Sequence, residues 1–161
     1  VDQPPAEDGL QDGQLIFLLG MAFQLLLGQF VRRMDAAGYS HLRPIHGLVF
    51  QSLLAGATTS SEIAATLGVT KQAAGQIVND LEVGGYLRRT DHPEGGRRRQ
   101  VVLTDEGHRH LRTTGELLRQ LEDEVAHGLA DRSTASLRAQ LATVIRQLAG
   151  EQLPPFRPLW N

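Results

Sequence analysis

SSEIAATLGVTKQAAGQIVNDLEVGGYLRRTDHPEGGRRRQVVL, residues 60–103, is the stretch whose reading decides the fold. A short helix comes first, with Ile63, Ala64 and Leu67 at helical spacing and a stop at Gly68. Thr59 caps its start, and Glu62 three residues on reaches back to the free backbone N–H, completing a capping box. After Val69, Thr70 opens a second helix as its N-cap. Ala73, Ala74, Ile77, Val78 and Leu81 share one side of that helix, while Lys71, Gln72, Gly75, Gln76 and Asn79 fall on the other. Ala64 is small where the helices must approach, Gly68 permits the positive φ of a tight turn, and Ile77 locks the second helix onto the first. The pattern is that of a helix-turn-helix.

By itself that pattern is weak, because many helical hairpins contain A-x-x-x-G. A basic hairpin directly afterwards strengthens it. Arg88, Arg89, Arg97, Arg98 and Arg99 gather around a turn containing Pro93, Gly95 and Gly96, and the flanking Leu87, Val101 and Leu103 alternate as half-buried strands do. Together they predict a winged helix that grips duplex DNA. The second helix would enter the major groove, where Gln72 and Gln76 can pair bidentately with adenine edges. Thr70 and Lys71 are placed for phosphate, as are Ser60 and Ser61 at the amide end of their helix. Arg97, Arg98 and Arg99 would reach the minor groove or its backbone. Two rival readings are a winged-helix module that docks on protein and a membrane-associated helical protein organised by its first helix.

The run from about Leu42 to Gly107 resembles the multiple antibiotic resistance regulator (MarR) family of bacterial transcription factors. The resemblance rests on LRPIHGLVFQSLL, on SEIAATLGVTKQAAGQIVNDLEVGGYLRR and on a wing ending RRRQVVLTDEG. Arg97 matches the family's wing arginine. The acidic residue usual two positions before it is replaced by Gly95, so either the tip is looser or Asp91 or Glu94 holds it. The family implies a mainly α fold with a small β-hairpin, forming one domain over 1–161. Its winged helix-turn-helix would span 44–104, with N- and C-terminal dimerisation helices over 14–37 and 105–150. It also implies a cytoplasmic homodimer on a pseudo-palindromic operator, acting most often as a repressor. A small-molecule effector, often an aromatic or phenolic acid, would bind between the dimer helices and the DNA-binding lobes. We place that pocket near Met21, His41, Arg43 and His46, which flank the junction of the first two helices, with Arg43 able to pair with a carboxylate.

At 161 residues the chain suffices for one domain with a real core. Its net charge of −2 looks wrong for a DNA binder until its distribution is considered. Asp2, Glu7, Asp8 and Asp12 precede the first basic residue, Arg32, and more acid lies between Glu116 and Glu124. Local charge, not the total, steers a protein to phosphates. The only lysine, Lys71, opens the second helix of the motif. With no cysteine, thiolate metal sites and a cysteine redox switch are excluded. The histidines show no i, i+4 pair and no neighbouring carboxylate set, so no metal site is expected. No phosphate-cradling glycine loop or nucleophile elbow is present, and the chain does not read as an enzyme or as needing a cofactor.

The remaining segments frame the motif. Residues 1–13 are polar and form an expected mobile arm. LIFLLGMAFQLLLGQFVRRM follows; it is at the short end for a bilayer span and carries Gln24 and Gln29, so it reads as a helix buried nearly all round, partly against a second subunit. Gly20 and Gly28 either allow close helix contact or simply weaken it. Gly38 ends this helix and Pro44 suits the first turn of the next, which runs to Gly56. Beyond the wing, Thr104 caps a long helix with Leu111, Thr114, Leu118, Leu121 and Val125 as a partner seam. A last helix begins near Ser133. The tail over 151–161 carries Phe156 and Trp160, expected to pack across a dimer.

Overall fold

The computed structural model describes residues 9–10, 12–91, 95, 99–150 and 153. Most of the expected arm and tail, together with Arg97, Arg98 and Glu94, therefore lies outside the described residues. The chain runs α1 (Leu15–Met34), a π-helical turn (Asp35–Tyr39), α2 (Pro44–Leu54), α3 (Ser60–Leu67) and α4 (Lys71–Val83). The hairpin β1 (Leu87–Asp91) and β2 (Arg99–Leu103) follows, then α5 (Asp105–Gly128) and α6 (Ala135–Ala149).

Local chemistry sets these boundaries. Gly38 breaks the first helical run with φ 94°, and Pro44 restarts the chain at the first position of α2. The Arg43 backbone N–H donates to Nδ1 of His46 at 3.0 Å, occupying a donor that the helix itself leaves open. At α3 the capping box forms as the spacing predicts: Thr59 Oγ1 accepts from the Glu62 N–H at 3.3 Å. The Glu62 carboxylate accepts from the N–H of Thr58 at 2.7 Å and of Thr59 at 3.0 Å. These donors, that of Thr58 foremost, hold the Glu62 carboxyl below its usual range. Gly68 ends α3 in the left-handed region at φ 68°, and Thr70 Oγ1 caps α4 by accepting from the Ala73 N–H at 3.1 Å.

The core lies within the helix-turn-helix and the hairpin base. Val49 and Phe50 of α2, Ile63 and Leu67 of α3, and Val78 and Leu81 of α4 are buried against Tyr86, Leu87 and Val101. The strands pair antiparallel from Leu87 opposite Leu103 to Asp91 opposite Arg99. The Val101 N–H also donates to the Thr58 carbonyl at 2.8 Å, stitching the hairpin to the residue just before the cap of α3.

Only Thr104 separates β2 from α5. Its hydroxyl accepts from the Gly107 N–H at 3.1 Å and contacts the carbonyls of Gly85, at 2.6 Å, and Tyr86, at 3.0 Å. A Cβ on Gly107 would sit 2.3 Å from the Tyr86 carbonyl oxygen. The glycine is therefore required by close backbone approach.

α5 packs along α1, joined by an Arg33–Glu124 ion pair at 2.5 Å and a buried Leu121. α6 is tied to α5 through Arg138 and Glu122. The expectation of an α1 buried nearly all round needs correction for the single chain: Ile16 is 74% and Leu25 71% exposed. One face meets α5, while Leu15, Ile16, Phe17 and Leu25 stay exposed. By length and composition alone, Leu15–Tyr39 is apolar enough to cross a membrane. Gly20 has nothing within 4 Å of an added Cβ, and Gly28 meets only Arg32 Nη1, at 3.6 Å. Neither glycine serves a close helix contact among the described residues.

Candidate nucleic-acid interface

α4 turns Ala74, Val78 and Leu81 inward and leaves Lys71, Gln72, Gln76 and Asn79 exposed. Thr70 caps the helix with its oxygen, so its hydroxyl proton can still point outward. Ser61 is exposed and Ser60 half-buried at the amide end of α3. These six DNA-contact candidates of the two helices thus occupy accessible positions on the helix-turn-helix. Gln76 carries a constraint that spacing did not suggest: its Nε2 donates to Asp80 Oδ1 at 2.8 Å, one turn along. Bidentate pairing with adenine needs both ends of the amide, so Gln76 must leave Asp80 to read a base in that way.

The hairpin divides its arginines by role. Arg88 is exposed. Arg89 is turned inward: its N–H donates to Glu82 Oε1 at 3.0 Å, its guanidinium pairs with the same carboxylate, and Nη2 lies 3.5 Å from the Gly75 carbonyl. It braces β1 against the back of α4. Arg99 pairs with Asp91 at 3.2 Å and reaches the Arg89 carbonyl at 3.4 Å. Of the two carboxylates considered as substitutes for the acid missing at Gly95, Asp91 pairs with Arg99 at the wing base, and Glu94 lies outside the described residues. Gly95 itself has φ 75°, a conformation that the usual acidic side chain would adopt only with strain.

Above this lobe, α1, the start of α2 and α5 enclose a cavity of about 210 Å³. Its wall is mostly apolar, with Phe23, Leu27, Phe30, Met34 and Leu118 among its residues; Asp35, Arg43, Gln51, His110 and Thr114 supply polar groups. The four residues placed at this junction from the sequence do not form one site. Arg43 lines the cavity, but Met21 lies on the other side of α1 from Phe23, two positions away on a helix of 3.6 residues per turn. His41 instead meets the Tyr86 hydroxyl at 2.8 Å. His46 is buried with its ring turned to the Arg43 backbone.

His110, one of the histidines without an i, i+4 partner, closes an aromatic cluster beside the cavity. Its ring stands 4.6 Å from Phe50, 4.8 Å from Tyr39 and 5.6 Å from Tyr86. Burial pushes its pKa down to about 4. Nδ1 of His110 and Nε2 of His46 lack hydrogen-bond partners among the described residues. His46 is also shifted down, by burial first and then by the charge of Arg43. Burial raises the Tyr86 hydroxyl. No group of three or more potential metal ligands occurs among the described residues.

A groove-sized helix with an exposed polar face, followed by an arginine-bearing hairpin locked to it, defines a winged-helix DNA-binding protein of the transcription-regulator class. The model of the MarR family matches residues 42–98 of the chain, from the end of the first helical run into the wing. No curated protein matches the chain in sequence. Similar solved structures include YusO from Bacillus subtilis, with 22% identity, TM-score 0.63 and coverage of 91% of this chain and 99% of that one. CouR from Rhodococcus jostii RHA1 bound to p-coumaroyl-CoA has 22% identity, TM-score 0.65 and coverage of 91% and 98%. A mutant of MepR from Staphylococcus aureus bound to an oligodeoxyribonucleotide has 16% identity, TM-score 0.61 and coverage of 84% and 99%. At these identities the likeness establishes the mainly helical winged-helix fold.

Proposed function

We propose that the protein is a ligand-responsive repressor that binds a pseudo-palindromic operator as a homodimer in the cytoplasm. The carrying observation is the continuous surface made by Lys71, Gln72 and Gln76 of α4 with a wing whose base is tied to that helix. Gln72 and Gln76 read base edges, Ser60, Ser61, Thr70 and Lys71 hold phosphate, and Arg97, Arg98 and Arg99 follow the minor groove. Two-fold symmetry would place the half-sites about one helical turn apart. The protein–DNA reading is supported by the MepR complex, and a small-molecule effector by the CouR complex.

The second copy covers the apolar face of α1 and the exposed Ile145 and Leu148 of α6, a surface too extensive to leave in water. With that face covered by a partner helix, α1 has no need of a membrane. The effector occupies the cavity lined by Arg43, whose guanidinium would take the carboxylate of an aromatic or phenolic acid. Such a ligand relieves repression only by binding the DNA-incompetent dimer more tightly than the competent one.

The test is fluorescence anisotropy on duplexes selected from a randomised pool, against scrambled controls and at several salt concentrations. Steep salt dependence with preference for the selected duplex is expected, each lost phosphate contact lowering the slope by about 0.9. The assignment fails if Lys71→Ala and Arg97→Ala each leave affinity and slope unchanged. Weak, salt-insensitive binding to every duplex would favour the protein-docking reading instead.

A further inference from the structure

Arg43 belongs to two places. Its backbone is fixed at the start of α2 by the bond to His46, a position on the wall of the cavity, while its side chain reaches toward α4. That side chain is 70% exposed and places Nη2 3.8 Å from Asp80 Oδ2 on α4. The other Asp80 oxygen, Oδ1, accepts from Gln76 Nε2 at 2.8 Å. A cation rooted at the cavity wall, a carboxylate and the amide of Gln76 thus stand in one chain of contacts, with buried His46 beside them feeling the charges of both Arg43 and Asp80.

We propose that Arg43, Asp80 and Gln76 form a relay through which an anion in the cavity controls base reading by α4. With Arg43 on Asp80, part of the carboxylate charge is offset and the hold on the Gln76 amide is correspondingly weaker. Gln76 can then leave for an adenine edge. An anion that draws Arg43 into the cavity strips Asp80 of its cation. The bare carboxylate accepts more strongly from Gln76, and an unbalanced negative charge stands on the helix that faces the phosphates. Both changes lower DNA affinity, the direction a derepressing ligand requires. A long, exposed ion pair is weak, so a ligand carboxylate displaces it readily. The relay rests on the reading of α4 as the DNA helix and of the cavity as the effector site.

Substitution mimics the ligand without needing to know it. Arg43→Gln should lower affinity for the selected duplex by about two- to fivefold, the most an exposed ion pair of this kind can transmit. In an Asp80→Asn background the same substitution should change little. Loss of a remote positive charge would act equally in both backgrounds, and equal losses would overturn the relay. In the free protein, the side-chain amide resonances of Gln76, assigned with Gln76→Ala, should move on Arg43→Gln but stay in place in the Asp80→Asn background. An unmoved Gln76 amide overturns the relay even if the wild-type protein selects no duplex. That last result would by itself sink the DNA reading.

Discussion

Acid should weaken this protein through His110 well before carboxylates begin to protonate. Its imidazole is 4% exposed, packed among Phe50, Tyr39 and Tyr86, with a pKa of about 4 against 6.5 for a free histidine. The folded-state value is the lower one, so between pH 6.5 and about 4 the unfolded chain binds the extra proton. Stability from this group is intact above pH 6.5, falls as pH drops through that window, and is fully lost below about pH 4. Integrating the linkage between pH 7.5 and 5 gives a loss of about 2 kcal/mol. His46, shifted down by burial, adds to the loss in the same direction. The assay is urea unfolding at fixed protomer concentration at pH 7.5, 6.5, 5.5 and 5. His110→Phe keeps an aromatic ring in the cluster and removes the titration, so its loss over that range should be smaller than the wild type's by about 2 kcal/mol. If both proteins lose the same stability between pH 7.5 and 5, the account of His110 as a buried neutral ring is wrong.

Three further outcomes follow from the packing. Gly107→Ala gains about 1 kcal/mol of helix propensity, but its methyl meets the Tyr86 carbonyl and Leu103 Cδ2, the latter at 2.9 Å. A net destabilisation of about 1–2 kcal/mol is expected by thermal unfolding, whereas Gly115→Ala, with only the flexible Arg119 Nη1 at 3.6 Å, should stabilise. Thr104→Val removes the cap of α5 together with the contacts to Gly85 and Tyr86, costing about 1–2 kcal/mol; an unchanged urea midpoint would contradict that role. Ile16→Asp with Leu25→Asp should convert a dimer to monomer in sedimentation velocity, and a variant that sediments like the wild type would remove α1 from the interface.

What was legible in the sequence is what acts over three or four residues. The capping box at Thr59–Glu62, the N-cap at Thr70, the left-handed Gly68 and the inward face of α4 are local hydrogen-bond and periodicity problems, so spacing alone suffices. The cavity is different in kind. Its wall depends on how α1 is rotated against α5, and spacing in α1 alone did not say which face that would be. Phe23, Leu27, Phe30 and Met34 recur by threes and fours, a stripe that was available but was read as part of an all-round apolar helix. Met21 was chosen by proximity to a junction and does not line this cavity. The arginines show the same limit: composition grouped Arg89 with the basic cluster of the hairpin, while Glu82, seven positions earlier, pairs with it against α4. Asp80, the partner of both Gln76 and Arg43, carried no signal beyond an i, i+4 spacing common on any helix.

The single residue between hairpin and α5 makes the long helix a rigid lever. Its 24 residues extend about 36 Å, and the Thr104 and Gly107 contacts leave no slack at the joint. A tilt of about 5° about the far end therefore carries the wing roughly 3 Å by arc length alone. That is close to the rise of one base pair, so small tilts of this helix translate into a change of register on the duplex.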